Sequence, residues 1–571
     1  MLDASIHRTR IRIIIIAVII VGVLVIIRLF SLQVMNGATY KQKAQHQYVT
    51  PSGSSFDRGN IYFTKKDGTT IAAATVEDGF KVAIVPAQIS DAEHTYNALN
   101  AIIPIDYDDF STSVVKKNDP YEEIAERVTT DQGEKITALD LPGVTLYRQK
   151  WRTYPGGALA AKAIGFVSYK DTELTGNYGL EEEYNDVLSR NAENFYVNFF
   201  AEIFANVQSS IFHNKTATGD VVTTIEPSVQ SQLETTIASI EKTWASDAVG
   251  GVVMDPSTGE IVAMAQVPTF DLNEYGSVKN VGVYTNPFTQ NVYEMGSIVK
   301  PLVMAAALDA GIVTPGTTYF DSGEVKVQDK VLRNFDHTGR GRVNMQDVLN
   351  QSLNTGMVFV EQKMGKDLFR DYMLDRYKIG DRTGIDLPNE VRGLVSGLKT
   401  DNDVNYATAS FGQGVATTPI NIVRGFSVLA NGGKLVTPHL VTEIRETNGF
   451  TKKLEYPVVE HVLKPETVTT IRTMLTHVVD DGYHRALPHY TVGAKTGTAQ
   501  IAKSDGTGYY TDRNLHSLIG FFPATNPRYV LYLYTVYPKN GAQFAIQTLG
   551  DPFFSMVQFL TNYYEIAPDR I

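Results

Sequence analysis

An unbroken uncharged run, Ile13 to Ile27, constrains this chain more than any other feature. Leu29 to Met35 prolongs it past a single Arg28, so one helix over Ile13 to Met35 can cross a bilayer, whose hydrocarbon core needs roughly 20 apolar residues at about 1.5 Å each. The run is rich in Ile and Val all round and has no polar face, which separates it from the amphipathic helix of a soluble core. Arg28 lies near the far end, where a guanidinium can snorkel to the headgroups. Arg8, Arg10 and Arg12 crowd the N-terminal side and favour a cytoplasmic N-terminus, against a weaker opposing pair in Lys41 and Lys43. The run leads into Arg28-Leu29-Phe30 and not into a small-residue cleavage site, which favours an uncleaved anchor over a removed signal peptide. The expectation is a single-pass protein of the cell membrane with the bulk of the chain outside the cytoplasm.

Beyond the anchor the composition is that of folded protein. The chain has 571 residues, 43% hydrophobic and 20% charged, which excludes wholesale disorder and allows two to four domains. A net charge of -11 gives no footprint for nucleic acid. The absence of Cys rules out disulfide frameworks, CxxC zinc sites, iron–sulfur clusters and thiol catalysis.

From Gln45 to about Ile240 short β-like runs (Ile61-Tyr62-Phe63, Phe80 to Val85) alternate with helix-like polar stretches such as Tyr121 to Val128, a mixed α+β region without a dense chemical motif. Asn194 to His213 carries Phe195, Phe199, Phe200, Ile203, Phe204 and Val207 at helical spacing. It reads as a helix packed on its own domain in preference to a partner-binding or membrane-surface helix. Val221 to Ile225 reads as a strand, and Pro227 opens a helix running toward Trp244. A second domain begins near Ala245 with a hairpin, Val252 to Asp255 and Ile261 to Ala265 joined by Pro256-Ser257-Thr258-Gly259. Helices are expected over Ser297 to Gly311 and Met345 to Lys363, strands over Gly493 to Ile501, Leu515 to Phe522 and Tyr529 to Tyr537, and a last helix around Phe553 to Tyr563. The division is therefore 1–35 anchor, 36–244 non-catalytic pedestal and 245–571 catalytic domain.

GxSxG, HExxH, EF-hand and P-loop signatures are all missing. Three pieces remain. In Ser297-Ile298-Val299-Lys300, Pro301 is tolerated only near a helix start, so Ser297 stands at the N-terminus with Lys300 on the same face. A buried lysine sheds its proton readily, and the neutral amine can take that of a nearby hydroxyl. In Ser352-Leu353-Asn354, a hydroxyl and a carboxamide two apart on a non-helical turn point the same way and can relay a proton and bind a peptide amide. In Lys495-Thr496-Gly497-Thr498, a strand glycine admits another backbone, the lysine adds a cation, and the threonine hydroxyls can bind a carboxylate. Each piece alone has a plain structural reading: a helix cap with a solvated lysine, an N-cap, and an edge strand guarded by lysine. In this order and context, the three together are the signature of penicillin-recognising serine enzymes.

The chain thus resembles a class B penicillin-binding protein, a membrane-anchored peptidoglycan D,D-transpeptidase. Arg58-Gly59-Asn60-Ile61-Tyr62 resembles the motif that opens the pedestal, and Tyr178-Gly179-Leu180-Glu181 the family's Gly-Leu/Ile-Glu segment. Asp255 to Ala265 and Pro268 to Asn273 match the approach to the nucleophile. Ser410-Phe411-Gly412-Gln413-Gly414 resembles a loop near the substrate groove, and His516 to Pro523 the strand after Lys-Thr-Gly. Ser352 to Met357 and Asn526-Pro527-Arg528 look more like the septal division type than the elongation type. Met295 stands where the family usually has Pro, Phe63-Thr64 replaces Asp-Arg, and Asn194 to His213 departs from the usual segment.

The resemblance implies an α+β fold in which a transmembrane helix is followed by an elongated mixed pedestal and a transpeptidase domain, an antiparallel sheet with helices on both sides. It implies acyl transfer through Ser297, with Lys300 as base and an oxyanion hole from the backbone N–H groups of Ser297 and Thr498. Ser352 with Lys495 carries the proton to the departing D-alanine, and Asn354 holds the peptide amide. Thr496, Gly497 and Thr498 form the strand at which the terminal carboxylate binds. Expected partners are peptidoglycan stem peptides, β-lactams, a polytopic membrane glycan polymerase and other division proteins, with no metal or organic cofactor and no nucleic acid. Rival readings are a carboxypeptidase or β-lactamase that resolves the ester with water, a silent β-lactam sensor, and a structural division protein using its pedestal alone.

Overall fold

The computed structural model describes residues 56–170, 173–190, 218–503 and 508–570. Both Ile13 to Met35 and Asn194 to His213 lie outside these residues. Among the described residues no helix is long and apolar enough to cross a membrane. Compact packing divides the chain into two units, whose described parts run over residues 77–151 and over 57–76 with 152–570.

The smaller unit packs helices on strands. Residues 79–84 pair antiparallel with the strand Glu122–Thr129, Phe80 opposite Val128 and Ile84 opposite Glu122. The helices Ala92–Asn100, Tyr107–Val114 and Thr130–Ala138 start where Asp91, Asp106 and Thr129 cap their first N–H groups. Val82, Ile84, Leu99, Phe110 and Ile136 fill its core. The helix expected over Tyr121 to Val128 is thus a strand. Ile124 and Val128 stand four apart and satisfy a helical stripe, but a partner strand lies alongside and tertiary pairing overrides the local pattern.

In the larger unit the strand Ile61–Thr64 pairs antiparallel with residues 70–74 and parallel with Gly219–Thr223, and Val441–Glu446 continues the sheet. Two motifs quoted from sequence meet here. Glu181, wholly buried, accepts from Arg58 Nε and Arg152 Nε at 2.6 Å each, while Arg58 also reaches Glu181 O at 2.7 Å and Arg152 Nη1 reaches Gly59 O at 2.8 Å.

The remainder of this unit is built on one sheet. Its elements are α1 (Pro227–Trp244), β1 (Ala248–Met254), β2 (Ile261–Val267), α2 (Lys300–Asp309), α3 (Asn354–Met364), α4 (Pro419–Ser427), α5 (Pro465–His477), β3 (Gly493–Ala502), β4 (Tyr509–Phe522), β5 (Tyr529–Val536) and α6 (Ala545–Tyr563). The order is β3-β4-β5-β1-β2, antiparallel throughout, so β3 is an edge strand. Residues alternate between faces. Val249, Val253, Leu518, Leu531 and Leu533 pack on α1 and α6. Val252, Ile519, Phe521, Val530 and Tyr532 face the cluster that holds α2, α4 and α5. Helices therefore cover both sides, as expected. Leu302 to Ala307 of α2 are all buried, which suits a helix that is apolar all round. The last helix begins earlier than expected, at Ala545, and carries Pro552 inside it.

Candidate active site

Ser297 lies on a single 3-10 turn, Gly296–Val299, that runs directly into α2. The turn needs a glycine: Gly296 has φ +58°, and a side chain there would press on Ala499 and the Thr498 carbonyl of β3. Gly296 N donates to Gly412 O at 3.0 Å, which fastens the Ser410 to Gly414 loop against the turn. Three residues on, Lys300 occupies the first turn of α2 and is wholly buried. Its Nζ donates to Ser352 O at 2.6 Å, Asn354 Oδ1 at 2.7 Å and Ser352 Oγ at 3.2 Å.

Ser352 and Asn354 flank a break between the short helix Met345–Asn350 and α3. Ser352 adopts φ +54° and Leu353 is extended. That reversal buries Leu353, which is 1% exposed, and turns the Ser352 hydroxyl, the Ser352 carbonyl and the Asn354 amide toward one amine. From the other side Lys495 Nζ reaches Ser352 Oγ at 3.0 Å and Thr496 O at 3.1 Å. Ser352 Oγ is therefore shared by two lysines. Burial pushes Lys495 down to about 7. Burial first, and the neighbouring Lys495 second, hold Lys300 well below the ordinary lysine range.

Gly497 lets β3 lie close to the Ser297 turn. A Cβ there would fall 2.5 Å from Ser517 Oγ and 2.8 Å from Met295 O. Thr496 and Thr498, one strand period apart, are half-buried on the opposite face from Lys495. Thr498 Oγ1 accepts from Ala545 N, the first residue of α6, at 3.3 Å. The eight residues singled out from sequence are thus drawn from three separate segments into one cluster: two hydroxyls, two buried lysines, an amide and a threonine-lined strand.

Comparisons with known proteins fall on this arrangement. The penicillin binding protein transpeptidase domain model matches residues 249–554, and the penicillin-binding protein dimerisation domain model matches residues 55–222. The chain belongs to the class B penicillin-binding proteins. Stage V sporulation protein D of Bacillus subtilis (strain 168) is 31% identical over 92% of this chain and 81% of its own length. A peptidoglycan D,D-transpeptidase FtsI homolog of Mesostigma viride is 26% identical over 95% of this chain and 93% of its own. In fold, penicillin binding protein 2X of Streptococcus thermophilus superposes with a TM-score of 0.72 at 21% identity, covering 90% of this chain and 81% of that one.

Within this penicillin-binding fold some of the expected contacts take a different form. The Ser297 hydroxyl makes no hydrogen bond among the described residues, and Lys300 turns to the Ser352-Asn354 bend instead. Asn354 directs Oδ1 to Lys300 and Nδ2 to Arg333 O at 2.9 Å. Met295, which stands in for a family proline, is buried, with the Tyr532 hydroxyl 3.7 Å from its sulfur. Sequence reasoning missed several supports. Glu294 accepts from Tyr509 at 2.8 Å and from Gly414 N at 3.1 Å, tying three segments together beside Ser297. Asp321 accepts from Thr355 at 2.7 Å and Asn334 at 3.0 Å, anchoring the start of α3. Tyr483 bonds Thr496 twice. An acid three residues before Ser297 is a signal for Glu294, but nothing local marks Asp321 or Tyr483.

Proposed function

We propose that this protein is a septal D,D-transpeptidase acting through an acyl-enzyme on Ser297, anchored by Ile13 to Met35 with its N-terminus in the cytoplasm. The observation that carries the chemistry is Lys300: a wholly buried amine whose three hydrogen bonds all go to neutral oxygens of Ser352 and Asn354. With no carboxylate to hold its charge, burial favours the neutral amine; its two N–H groups then go to Ser352 O and Asn354 Oδ1, and release of the 3.2 Å contact with Ser352 Oγ leaves the lone pair for the Ser297 proton. The two groups share the same helix start, and hydrogen bonds of this kind often close only when substrate arrives.

Ser297 Oγ then attacks the carbonyl carbon between two D-alanines of a stem peptide. The oxygen takes the charge and is held by the N–H groups of Ser297 and Thr498. Thr496 N bonds outward to Tyr483 and not to β4, so Thr498 N, two residues on, also points away from the sheet. Removing one such donor costs about 2.7–4 kcal/mol in measured cases. As the tetrahedral adduct collapses, the proton passes from Lys300 through Ser352 to the departing D-alanine nitrogen, and Lys495 polarises that hydroxyl. Thr496 and Thr498 take the terminal carboxylate. Asn354 still has a second Oδ1 lone pair and a second Nδ2 hydrogen for the peptide amide. An amine from a second stem peptide resolves the ester and cross-links the strands. β-Lactams present the same amide and carboxylate, and so acylate Ser297.

The septal assignment rests on Ser352 to Met357 and Asn526-Pro527-Arg528, and the relative named FtsI homolog supports it. The working division remains 1–35 anchor, 36–244 pedestal and 245–571 catalytic domain, with a polytopic glycan polymerase and division proteins as partners in the membrane. A labelled β-lactam on the full chain, beside Ser297→Ala and Lys300→Ala, tests the reading. Durable label lost in both variants is expected. Rapid release of label means a hydrolase, and wild-type labelling of Lys300→Ala removes that lysine as base.

A further inference from the structure

The backbone of the edge strand β3 is bonded on its open side by a residue outside the three catalytic segments. Tyr483 closes the π-helical stretch Val478–Gly482 that comes after α5. Its hydroxyl accepts from Thr496 N at 2.8 Å and lies 3.0 Å from Thr496 Oγ1. The first contact has only one direction, because a backbone nitrogen can only donate. The second can run either way, since the phenol oxygen has another lone pair as well as its proton. Burial pushes the Tyr483 phenol up to about 12, so it keeps its proton. Among the described residues Thr496 Oγ1 is the one further partner of that hydroxyl. With the phenol donating to Thr496 Oγ1, the threonine's own proton is left to point elsewhere. Thr496 is half-buried, so that proton is free to turn toward the groove.

We propose that Tyr483 is a positioning residue for substrate: it closes the outward N–H of Thr496 to strand pairing and aims the Thr496 hydroxyl proton into the groove, where it donates to the substrate carboxylate. The first effect makes Thr498 the first outward N–H on this strand left open beside the nucleophile. The second converts a hydroxyl that could either accept or donate into a committed donor. This inference rests on the reading that Thr496 binds the carboxylate, and the experiment separates the two.

The probes are a D-alanyl-D-lactate-type depsipeptide with a free carboxylate and its C-terminal carboxamide, with acylation of Ser297 in the full chain followed by intact mass. The readout is the ratio of the two acylation rates within each variant, which a partly unfolded population does not change. Tyr483→Phe keeps the ring but loses the donor, and should lower the carboxylate preference about tenfold, the equivalent of one hydrogen bond to a charged group. Tyr483→His keeps an N–H donor and should recover part of it; it also serves if the Phe variant does not fold. Thr496→Val should lose the preference as fully as Tyr483→Phe, and the double variant should lose no more. A Tyr483→Phe ratio equal to wild type, while Thr496→Val loses it, overturns the role of Tyr483 alone. Preference retained in Thr496→Val overturns the carboxylate reading itself, and the inference with it.

Discussion

Two lysines within hydrogen-bonding distance of one serine hydroxyl are unfavourable to bury, and the penalty has a pH signature. Lys495 is pushed down to about 7 from its ordinary 10.5 by burial. Below about 7 the folded and unfolded chains both carry the proton, and the folded state bears the full penalty of a buried cation. Between about 7 and 10.5 the unfolded chain binds a proton that the folded chain gives up, so stability rises with pH across that window. Above 10.5 neither state is charged and the penalty vanishes. Lys495→Met should accordingly stabilise the fold most at pH 6, progressively less at pH 8.5 and hardly at all at pH 10.5, while β-lactam labelling of Ser297 falls by at least about a hundredfold. Chemical denaturation at those three pH values checks it. Destabilisation by the same amount at every pH would show instead that the bonds to Ser352 and Thr496 O outweigh the desolvation. At this scale the sequence names the lysines but not their burial, because the plain alternative for Lys495 is a solvated guard on an edge strand. β3 is an edge strand, yet Lys495 is 1% exposed, since its side chain turns under the strand toward Ser352.

At the scale of elements, the site depends on how closely β3 approaches the turn before α2. Gly497→Ala places a methyl 2.8 Å from Met295 O, and a backbone carbonyl cannot swing aside as a side chain can. The strand must retreat by a few tenths of an ångström or more, which separates Thr498 N from Ser297. We expect acylation to fall about tenfold, less than the roughly hundredfold that a full 1 Å misplacement costs, with only a modest loss in melting temperature. Unchanged acylation would mean that the two segments need not be in register. Leu353→Ala probes the other side. This residue stands between Ser352 and Asn354 in the chain and its side chain is buried in the hydrophobic core, so its loss should lower stability by about 2–5 kcal/mol in denaturant titration and slow acylation as well. These elements differ in how far they can be read in advance. The helix Pro227–Trp244 and the hairpin of β1 and β2 carry their own start and turn signals, and both appear where the sequence puts them. Glu122–Thr129 does not, because a stripe four residues apart suits a helix or a strand until a partner strand decides. Tyr483 is illegible for a different reason: its meaning lies wholly in a through-space contact with Thr496, 13 positions along the chain.

Over the larger unit as a whole, the same contrast between local and distant information centres on Glu181. Arg58 and Glu181 are 123 residues apart, and both motifs are visible as family resemblances, but no sequence pattern says that they form a single ion cluster with Arg152. The cluster is wholly desolvated at the carboxylate, which is 0% exposed. Burial taken alone pushes Glu181 up; the Arg152 and Arg58 guanidiniums together overcome it and hold the carboxyl below its ordinary 4.5. A depressed carboxyl contributes stability that is present above the unfolded value and is lost as pH falls through the folded one, so the cluster supports the fold at neutral pH and weakens in acid, below the ordinary 4.5. Glu181→Gln removes the charge and leaves two buried guanidiniums facing an amide, a loss of about 3–5 kcal/mol for a broken buried ion pair. Denaturant titration at pH 7 should show that loss, and the gap between wild type and variant should narrow as the pH is taken down from the ordinary carboxyl value of 4.5. Because no atom of the cluster touches Ser297, Lys300 or β3, the labelling rate per folded molecule should stay within about twofold. A variant that kept its stability but lost labelling would reverse this assignment and make the Arg58-Glu181-Arg152 cluster part of the catalytic apparatus, not of its support.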